Sequence, residues 1–189
     1  MAITGGIGAG KSETLRAFAR HGAAVVSSDD IVHRLLHDDA EVKRRVVQRF
    51  GDGVVGADGE IDRGRVGDVV FSDARQLAWL EALLHPLVSA EYLRWREELA
   101  QSADPPAVCA TEVPLLYEVG ADDRFDAVVV VTASPEVRVS RHIRPMHDRE
   151  RRLLADAEKA ARAEFAYVND GSLEDLDAFV SDVMEKLST

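Results

Sequence analysis

The sequence feature that most constrains this chain is the glycine-rich stretch at residues 5–12, which reads Gly-Gly-Ile-Gly-Ala-Gly-Lys-Ser. It fits the pattern G-x-x-x-x-G-K-[ST] of a phosphate-binding loop. Residues 2–4, which read Ala-Ile-Thr, precede it and are typical of the end of a buried strand, whereas Leu15, Phe18 and Ala19 follow at helical spacing. A chance glycine turn is the alternative, and the strand, loop and helix context disfavours it.

Each part of this loop has a physical role toward a nucleotide. The glycines let successive backbone N–H groups turn toward phosphate oxygens, and the helix that starts near Lys11 adds its positive end. Lys11 is expected to reach the β- and γ-phosphates. The Ser12 hydroxyl is expected to be a ligand of the Mg²⁺ ion that accompanies the triphosphate.

Composition limits what can be attached to the loop. The chain has 189 residues, of which 46% are hydrophobic, enough for one good core and a small insertion. No apolar run approaches the ~20 residues of a membrane span, and the loop starts too early for a signal peptide, so we expect a cytoplasmic protein. A single cysteine, Cys109, can form no internal disulfide. The net charge of −11 disfavours a general nucleic-acid or anionic-membrane binder.

Strand and helix patterns alternate along the chain, which predicts a parallel sheet with helices on both faces. The expected core covers about 1–36, 104–137 and 163–189, with strands at 2–4, 23–27, 107–111, 127–132 and 166–168 and a closing helix at 173–187. Ligands of open α/β sheets bind at the carboxyl ends of strands. Asp29, just after the second strand, is therefore placed to orient and deprotonate an acceptor hydroxyl. The alternative is that Asp29 or Asp30 caps a helix at 31–36, and both roles are compatible if one aspartate caps the helix while the other points into the cleft.

Residues 37–103 interrupt this alternation with helical patterns, which we interpret as an insertion that covers the acceptor. His85 lies there beside Pro86, which is expected to interrupt a helix. After the insertion, Glu112 and Glu118 flank the carboxyl end of the third strand. An acid at that place can organise Mg²⁺-bound water or hold a basic group of the substrate.

Arginines concentrate in the next segment, about 138–162, which we interpret as a lid over the transferring phosphate. Arg141 and Arg144 share a helix face that Arg138 extends toward the sheet, so Arg141 or Arg144 is expected to contact that phosphate. Arg149, Arg151 and Arg152 are expected to be solvated. A merely solvated face for the whole cluster is the alternative.

The chain resembles the dephospho-coenzyme A kinase family along nearly its whole length. The resemblance is carried by the loop, by Asp29, and by the segments Phe-Gly at 50–51, Asp-Gly-Glu-Ile-Asp-Arg at 58–63, Val-Phe at 70–71, His-Pro at 85–86, Pro-Leu-Leu-Tyr-Glu at 114–118 and Asn-Asp-Gly at 169–171. It implies transfer of the γ-phosphoryl group of ATP to the 3′-hydroxyl of dephospho-coenzyme A, with Mg²⁺. The implied fold is a single three-layer α/β P-loop kinase domain with a central parallel sheet, a helical acceptor-binding insertion and a short lid.

The residue patterns described above and the resemblance together give the expected site residues. The catalytic set is Asp29, Lys11, Arg141 and Arg144, and Ser12 is the metal ligand. The implied ATP-binding residues are Gly6, Gly8, Ala9, Gly10, Lys11, Ser12, Glu13 and Asn169. The implied acceptor-binding residues are Asp29, Arg63, His85, Pro86, Leu115 and Glu118.

The chain departs from the family at three places. Ser27-Ser28-Asp29 stands where the family has Asp-Ala-Asp, Glu13 replaces a threonine or serine, and the lid is shorter and lacks a glutamine. Two other functions stay open: a different small-molecule kinase of the same fold, and a non-catalytic nucleotide-binding regulator. A GTPase switch is disfavoured because the chain has no Asn-Lys-x-Asp run. The sequence leaves the oligomeric state open.

Overall fold

A computed structural model of the chain describes residues 1–141 and 154–188. The fold consists of two compact units. The sheet unit comprises Met1–Ser27 and Leu99–Thr189, and the helical unit comprises Ser28–Glu98. No helix in the described ranges is both long and apolar enough to cross a membrane.

The sheet unit is built on a parallel sheet of five strands in the order β2-β3-β1-β4-β5. These strands confirm the five predicted ones. Since all run in the same direction, their carboxyl ends lie along one edge of the sheet, where the glycine-rich loop leaves β1. The strands are β1 Ala2–Gly5, β2 Ala24–Ser27, β3 Cys109–Glu112, β4 Val128–Thr132 and β5 Phe165–Val168.

Apolar packing covers both faces of this sheet. One apolar cluster joins Ile3, Val129 and Val131 to Phe18 of the first helix and Leu176 of the last helix, and a second cluster joins Val128 and Val130 to the buried Leu116. Burial on both faces explains why β4 is a continuous run of valines. Within the residues that the structure describes, the α-helices of the sheet unit are α1 Lys11–Arg20, α6 Pro135–Arg141, α7 Asp156–Arg162 and α8 Leu173–Leu187. The closing helix, α8, has the predicted bounds.

The helical unit contains four α-helices and a short 3-10 helix, Asp52–Val54. Asp39 and Asp62 cap two of them, each accepting hydrogen bonds from two backbone N–H groups in the first turn. Phe50 and Trp79 pack edge to face with ring centroids 5.2 Å apart. The helices are α2 Ser28–Asp38, α3 Ala40–Phe50, α4 Arg63–Ser72 and α5 Ala74–Ala100.

Two local expectations in this unit are wrong. Pro86 does not interrupt a helix, since α5 continues through it from Ala74 to Ala100. A proline removes one backbone hydrogen bond, and the burial of Leu83, Leu84 and Tyr92 along α5 offsets that loss. The helix expected at 31–36 starts at Ser28, so Asp29 and Asp30 lie in its first turn, where the helix dipole favours carboxylates, and neither precedes it as a cap.

Candidate nucleotide site

The glycine-rich loop connects the end of β1 to the start of α1, as predicted. Gly10 precedes α1 with φ at 99°, a left-handed conformation that favours glycine, and a side chain there would collide with the amide of Asn169. A Cβ atom added at Gly6 would lie 2.6 Å from Nη1 of Arg138. The loop backbone therefore packs directly against side chains from two distant parts of the chain, and larger residues at these positions would separate them.

Lys11 lies at the first position of α1 with its ammonium group turned back over the loop. Its Nζ atom donates hydrogen bonds to the carbonyl oxygens of Gly5 and Gly6, at 3.1 and 3.0 Å. These bonds hold the positive charge beside the loop and the N-terminal end of α1, where an anion is also stabilised by the helix dipole. The arrangement is suited to binding phosphate.

Asn169 follows β5 and is 5% exposed. Its side-chain Nδ2 donates to the carbonyl oxygen of Ala9 at 2.9 Å, and its backbone N–H donates to Thr132 at 2.8 Å. The neighbouring Asp170 accepts a hydrogen bond from the Ser134 N–H group at 2.8 Å. Through its hydrogen bond to Ala9, Asn169 holds the backbone of the loop in place. Its predicted contact with ATP stays a prediction.

Glu112 is the acid that the fold brings to the loop. It ends β3, is 5% exposed, and accepts hydrogen bonds from Ser12 through Oε2 and from Ser27 through Oε1, both at 3.1 Å. Burial of a carboxylate is costly unless hydrogen bonds satisfy it, and these two hydroxyl groups do so. The sequence pattern places Glu112 at a strand end, but Glu112 is not among the predicted site residues, because its neighbours are set by the strand order and local patterns do not give that order.

Arginines of α6 lie next to the loop. Arg138 donates from Nε to the carbonyl oxygen of Ala133 at 2.9 Å and forms an ion pair with Asp156, and its side chain is only 16% exposed. Arg141, the last residue of α6, is exposed, and its Nη1 lies 3.6 Å from the position of a Cβ atom at Gly10.

Of the predicted lid arginines, Arg141 is therefore close to the loop, and its contact with phosphate stays a prediction. Arg138 packs more closely against the loop than Arg141 does. Its three-residue spacing from Arg141 on a common helix face was the sequence signal for this position. Arg144, Arg149, Arg151 and Arg152 lie outside the described residues.

Glu13, predicted to bind ATP, forms ion pairs with Arg16 and Arg20, each at 3.0 Å. Partial burial acts to raise the pKa of its carboxyl group, but hydrogen bonds from Arg20 and Arg16 outweigh that effect and leave the pKa below its usual value. These contacts hold the carboxylate along the surface of α1. An ATP contact of Glu13 stays a prediction.

Glu118, predicted to bind the acceptor, is largely buried in the sheet unit. Its Oε1 atom lies 2.7 Å from Nζ of the fully buried Lys159 and accepts a hydrogen bond from the Leu154 N–H group at 2.9 Å. These contacts tie the segment after β3 to α7. They favour a structural role for Glu118, whereas Leu115, three residues earlier, is half-buried.

The other predicted acceptor residues belong to the helical unit and are exposed. Asp29 lies in the first turn of α2, Arg63 is the first residue of α4, and His85 and Pro86 lie in α5. Arg63, His85 and Pro86 do not line a cavity of about 330 Å³ that lies in this unit. That cavity is lined by Ile31, Arg34, Leu35, Asp38, Asp39, Glu91 and Arg94.

Comparison with known proteins identifies a family for the chain. The family model described as "CoaE: Dephospho-CoA kinase" matches residues 1–175. A protein of Streptomyces avermitilis named dephospho-CoA kinase is 39% identical over 192 residues, an alignment that covers 98% of this chain and 92% of that protein.

Solved structures agree with the fold. The crystal structure of TT1252 from Thermus thermophilus has a TM-score of 0.75 and 33% identity, covering 100% of this chain and 97% of that one. A dephospho-CoA kinase from Campylobacter jejuni has a TM-score of 0.70 at 24% identity, covering 99% and 96% of the two chains. At 24% identity, the similarity to the Campylobacter jejuni protein shows only that the two chains share a fold.

Proposed function

This chain belongs to the dephospho-coenzyme A kinase family, and from its site geometry we propose how its residues transfer a phosphoryl group. It is an ATP-dependent kinase that phosphorylates the 3′-hydroxyl of dephospho-coenzyme A, giving coenzyme A and ADP. The observation that carries this function is the glycine-rich loop at the carboxyl end of β1, with Lys11 and Ser12 in place. A cytoplasmic location and the absence of nucleic-acid and membrane partners stay predictions.

We propose that the loop binds the triphosphate through its backbone N–H groups and Lys11. The Lys11 ammonium is held by two carbonyl oxygens, and phosphate oxygens can replace these neutral acceptors with charged ones. Charge-assisted hydrogen bonds are stronger than those to neutral carbonyl groups, so the exchange favours nucleotide binding. During transfer, the same ammonium stabilises charge on the γ-phosphoryl group.

The metal proposed to accompany ATP is Mg²⁺, which prefers oxygen ligands. No group of three or more His, Cys, Asp or Glu side chains is arranged to hold a metal within residues 1–141 and 154–188. Mg²⁺ at kinase sites is commonly held by one or two protein oxygens together with phosphates, and the Ser12 hydroxyl beside Glu112 fits that requirement. When bound, Mg²⁺ would neutralise charge on the β- and γ-phosphates.

Asp29 is our proposed general base. It follows the carboxyl end of β2 by two residues and is exposed. An exposed carboxylate at the start of α2 can accept the proton of a bound hydroxyl group as that oxygen attacks phosphorus. Asp30 has the same chemistry one residue later, so the two positions must be separated by experiment.

Two different roles are proposed for the arginines near the loop. Arg141, together with Arg144, is proposed to bind the equatorial oxygens of the transferring phosphoryl group, for which a planar guanidinium is suited. Arg138, held by Ala133 and Asp156, is proposed to support the loop backbone at Gly6.

For the acceptor, the proposed ligands are Arg63, His85, Pro86 and Leu115, which follow from the resemblance. The buried contacts of Glu118 with Lys159 and Leu154 lead us to propose that Glu118 supports this region structurally and does not touch the substrate.

A coupled assay that measures ADP release from ATP tests the function. Purified protein would be given dephospho-coenzyme A, adenosine, shikimate or gluconate, each with Mg²⁺. We expect turnover with dephospho-coenzyme A alone. Turnover with another member of the panel would indicate a different small-molecule kinase, and ATP binding without any turnover would indicate a regulator.

A further inference from the structure

The carboxyl ends of β2 and β3 place a neutral hydroxyl group beside the buried acid of the nucleotide site. Ser27 and Glu112 are direct partners in the parallel register of the two strands. Ser27 Oγ donates to Glu112 Oε1, while Ser12 Oγ donates to Glu112 Oε2, each at 3.1 Å. One carboxylate therefore connects a hydroxyl of the sheet with a hydroxyl of the loop helix.

The hydrogen bond to Glu112 sets the direction in which the Ser12 hydroxyl presents its lone pairs. A serine hydroxyl that donates its proton to a carboxylate keeps its lone pairs available on the opposite side of the oxygen. Ser12 is exposed, whereas Glu112 is 5% exposed, so those lone pairs can reach a metal bound with the nucleotide. The orientation of Ser12 depends on Glu112, and Ser27 holds the other oxygen of the same carboxylate.

We propose that Ser27 is a positioning residue for the metal–nucleotide site, acting through Glu112 on Ser12. This inference rests on the proposed function. Loss of the Ser27 hydroxyl removes a hydrogen bond from one side of the carboxylate and so weakens the orientation of Glu112 toward Ser12. Outer partners that orient metal ligands commonly change metal affinity by 10- to 100-fold when removed.

The contact between residue 27 and Glu112 also depends on the charge of residue 27. Ser27 is neutral, and an aspartate at this position would place two carboxylates next to each other at the ends of paired strands. Like charges in a partly buried place repel each other, and a divalent cation between them relieves that repulsion. Ser27→Asp should therefore make the thermal stability more sensitive to Mg²⁺ than that of the natural chain.

The test measures nucleotide binding and stability without any acceptor, so that it is separate from turnover. Binding of ADP would be followed by calorimetry while Mg²⁺ is varied, and again in EDTA. For Ser27→Ala we expect the Mg²⁺ midpoint to rise about tenfold, with unchanged affinity for ADP in EDTA. Ser27→Thr, which keeps the hydroxyl, should restore the natural midpoint. Ser102→Ala is the matched control, because Ser102 is exposed and its hydroxyl donates a hydrogen bond to the Leu99 carbonyl oxygen at 2.7 Å.

Thermal unfolding of Ser27→Asp supplies the second measurement. We expect a lower Tm than the natural protein in EDTA and a larger rise of Tm on adding Mg²⁺. An unchanged Mg²⁺ midpoint in Ser27→Ala would overturn the inference, whether or not its Tm falls. If these shifts occur but dephospho-coenzyme A is not phosphorylated, the inference stands and the proposed acceptor is wrong.

Discussion

Breaking the buried ion pair between Glu118 and Lys159 should destabilise the protein strongly. Lys159 is fully buried, and its Nζ lies 2.7 Å from Glu118 Oε1. Removing one member of such a pair leaves the other charge buried without compensation, which costs about 3–5 kcal/mol. In a domain of 150–250 residues each kcal/mol lowers Tm by roughly 2–4 °C, so Lys159→Met should lower Tm by roughly 6–20 °C.

A double-mutant cycle makes this prediction sharper. Glu118→Gln keeps a carbonyl oxygen for the Leu154 N–H group, so the Lys159→Met and Glu118→Gln double variant retains that hydrogen bond while it removes both charges. We expect the double variant to be more stable than the sum of the single losses predicts, with a coupling of about 1–3 kcal/mol. Thermal unfolding followed by circular dichroism would measure all four proteins.

The exposed pair of Arg44 with Glu41 on α3 provides the control. Its nitrogen and oxygen atoms are also 2.7 Å apart, but both side chains are about three-fifths exposed, at 62% and 61%. Exposed pairs contribute little to stability, so Arg44→Met should change Tm far less than Lys159→Met. If Glu118→Gln instead leaves Tm unchanged and raises the KM for dephospho-coenzyme A, then Glu118 is an acceptor ligand. The structural role that we propose for Glu118 is then wrong.

Other predictions concern the proposed chemistry. Lys11→Ala should lower kcat by about 10²- to 10³-fold with little change in Tm, and near-normal turnover would refute the role given to the loop lysine. Asp29→Asn should lower kcat by about 10²-fold or more while ATP still binds, and a larger loss in Asp30→Asn would show that the base is the other aspartate. Arg141→Ala should lower kcat by about 10²-fold, measured at saturating ATP, and a small effect would identify Arg141 as a solvated residue. Arg138→Ala should mainly raise the KM for ATP, because Arg138 packs on the loop backbone; a loss confined to kcat would point to direct contact with the transferring phosphate.

Local patterns in the sequence were sufficient for the elements of the fold. The loop pattern at 5–12, the valine run of β4 and the amphipathic spacing of α8 each depend on neighbours within a few residues, so their structures could be predicted from the chain alone. The expectations that proved wrong arose where two effects oppose each other within one helix. Helix α5 passes through Pro86 because packing of its apolar side chains outweighs one lost hydrogen bond.

The candidate site was predictable in part for the same reason. Lys11 and Ser12 are fixed by the loop to which they belong, so their positions follow from the pattern. The side chains that surround the loop could not be predicted from local sequence patterns. Arg138 lies against Gly6, and Asn169 hydrogen bonds to Ala9 across 160 residues of sequence.

By itself the sequence determined the parallel α/β architecture, the phosphate-binding loop and the family of kinases to which the chain belongs. Only the tertiary structure decided which side chains meet. The strand order β2-β3-β1-β4-β5 brings Ser27 to Glu112 and Glu112 to Ser12, and the packing of α7 brings Lys159 to Glu118. Periodicity reports which residues are buried, but a hydrogen bond or an ion pair depends on distances of about 3 Å between atoms that the chain brings together only when it folds.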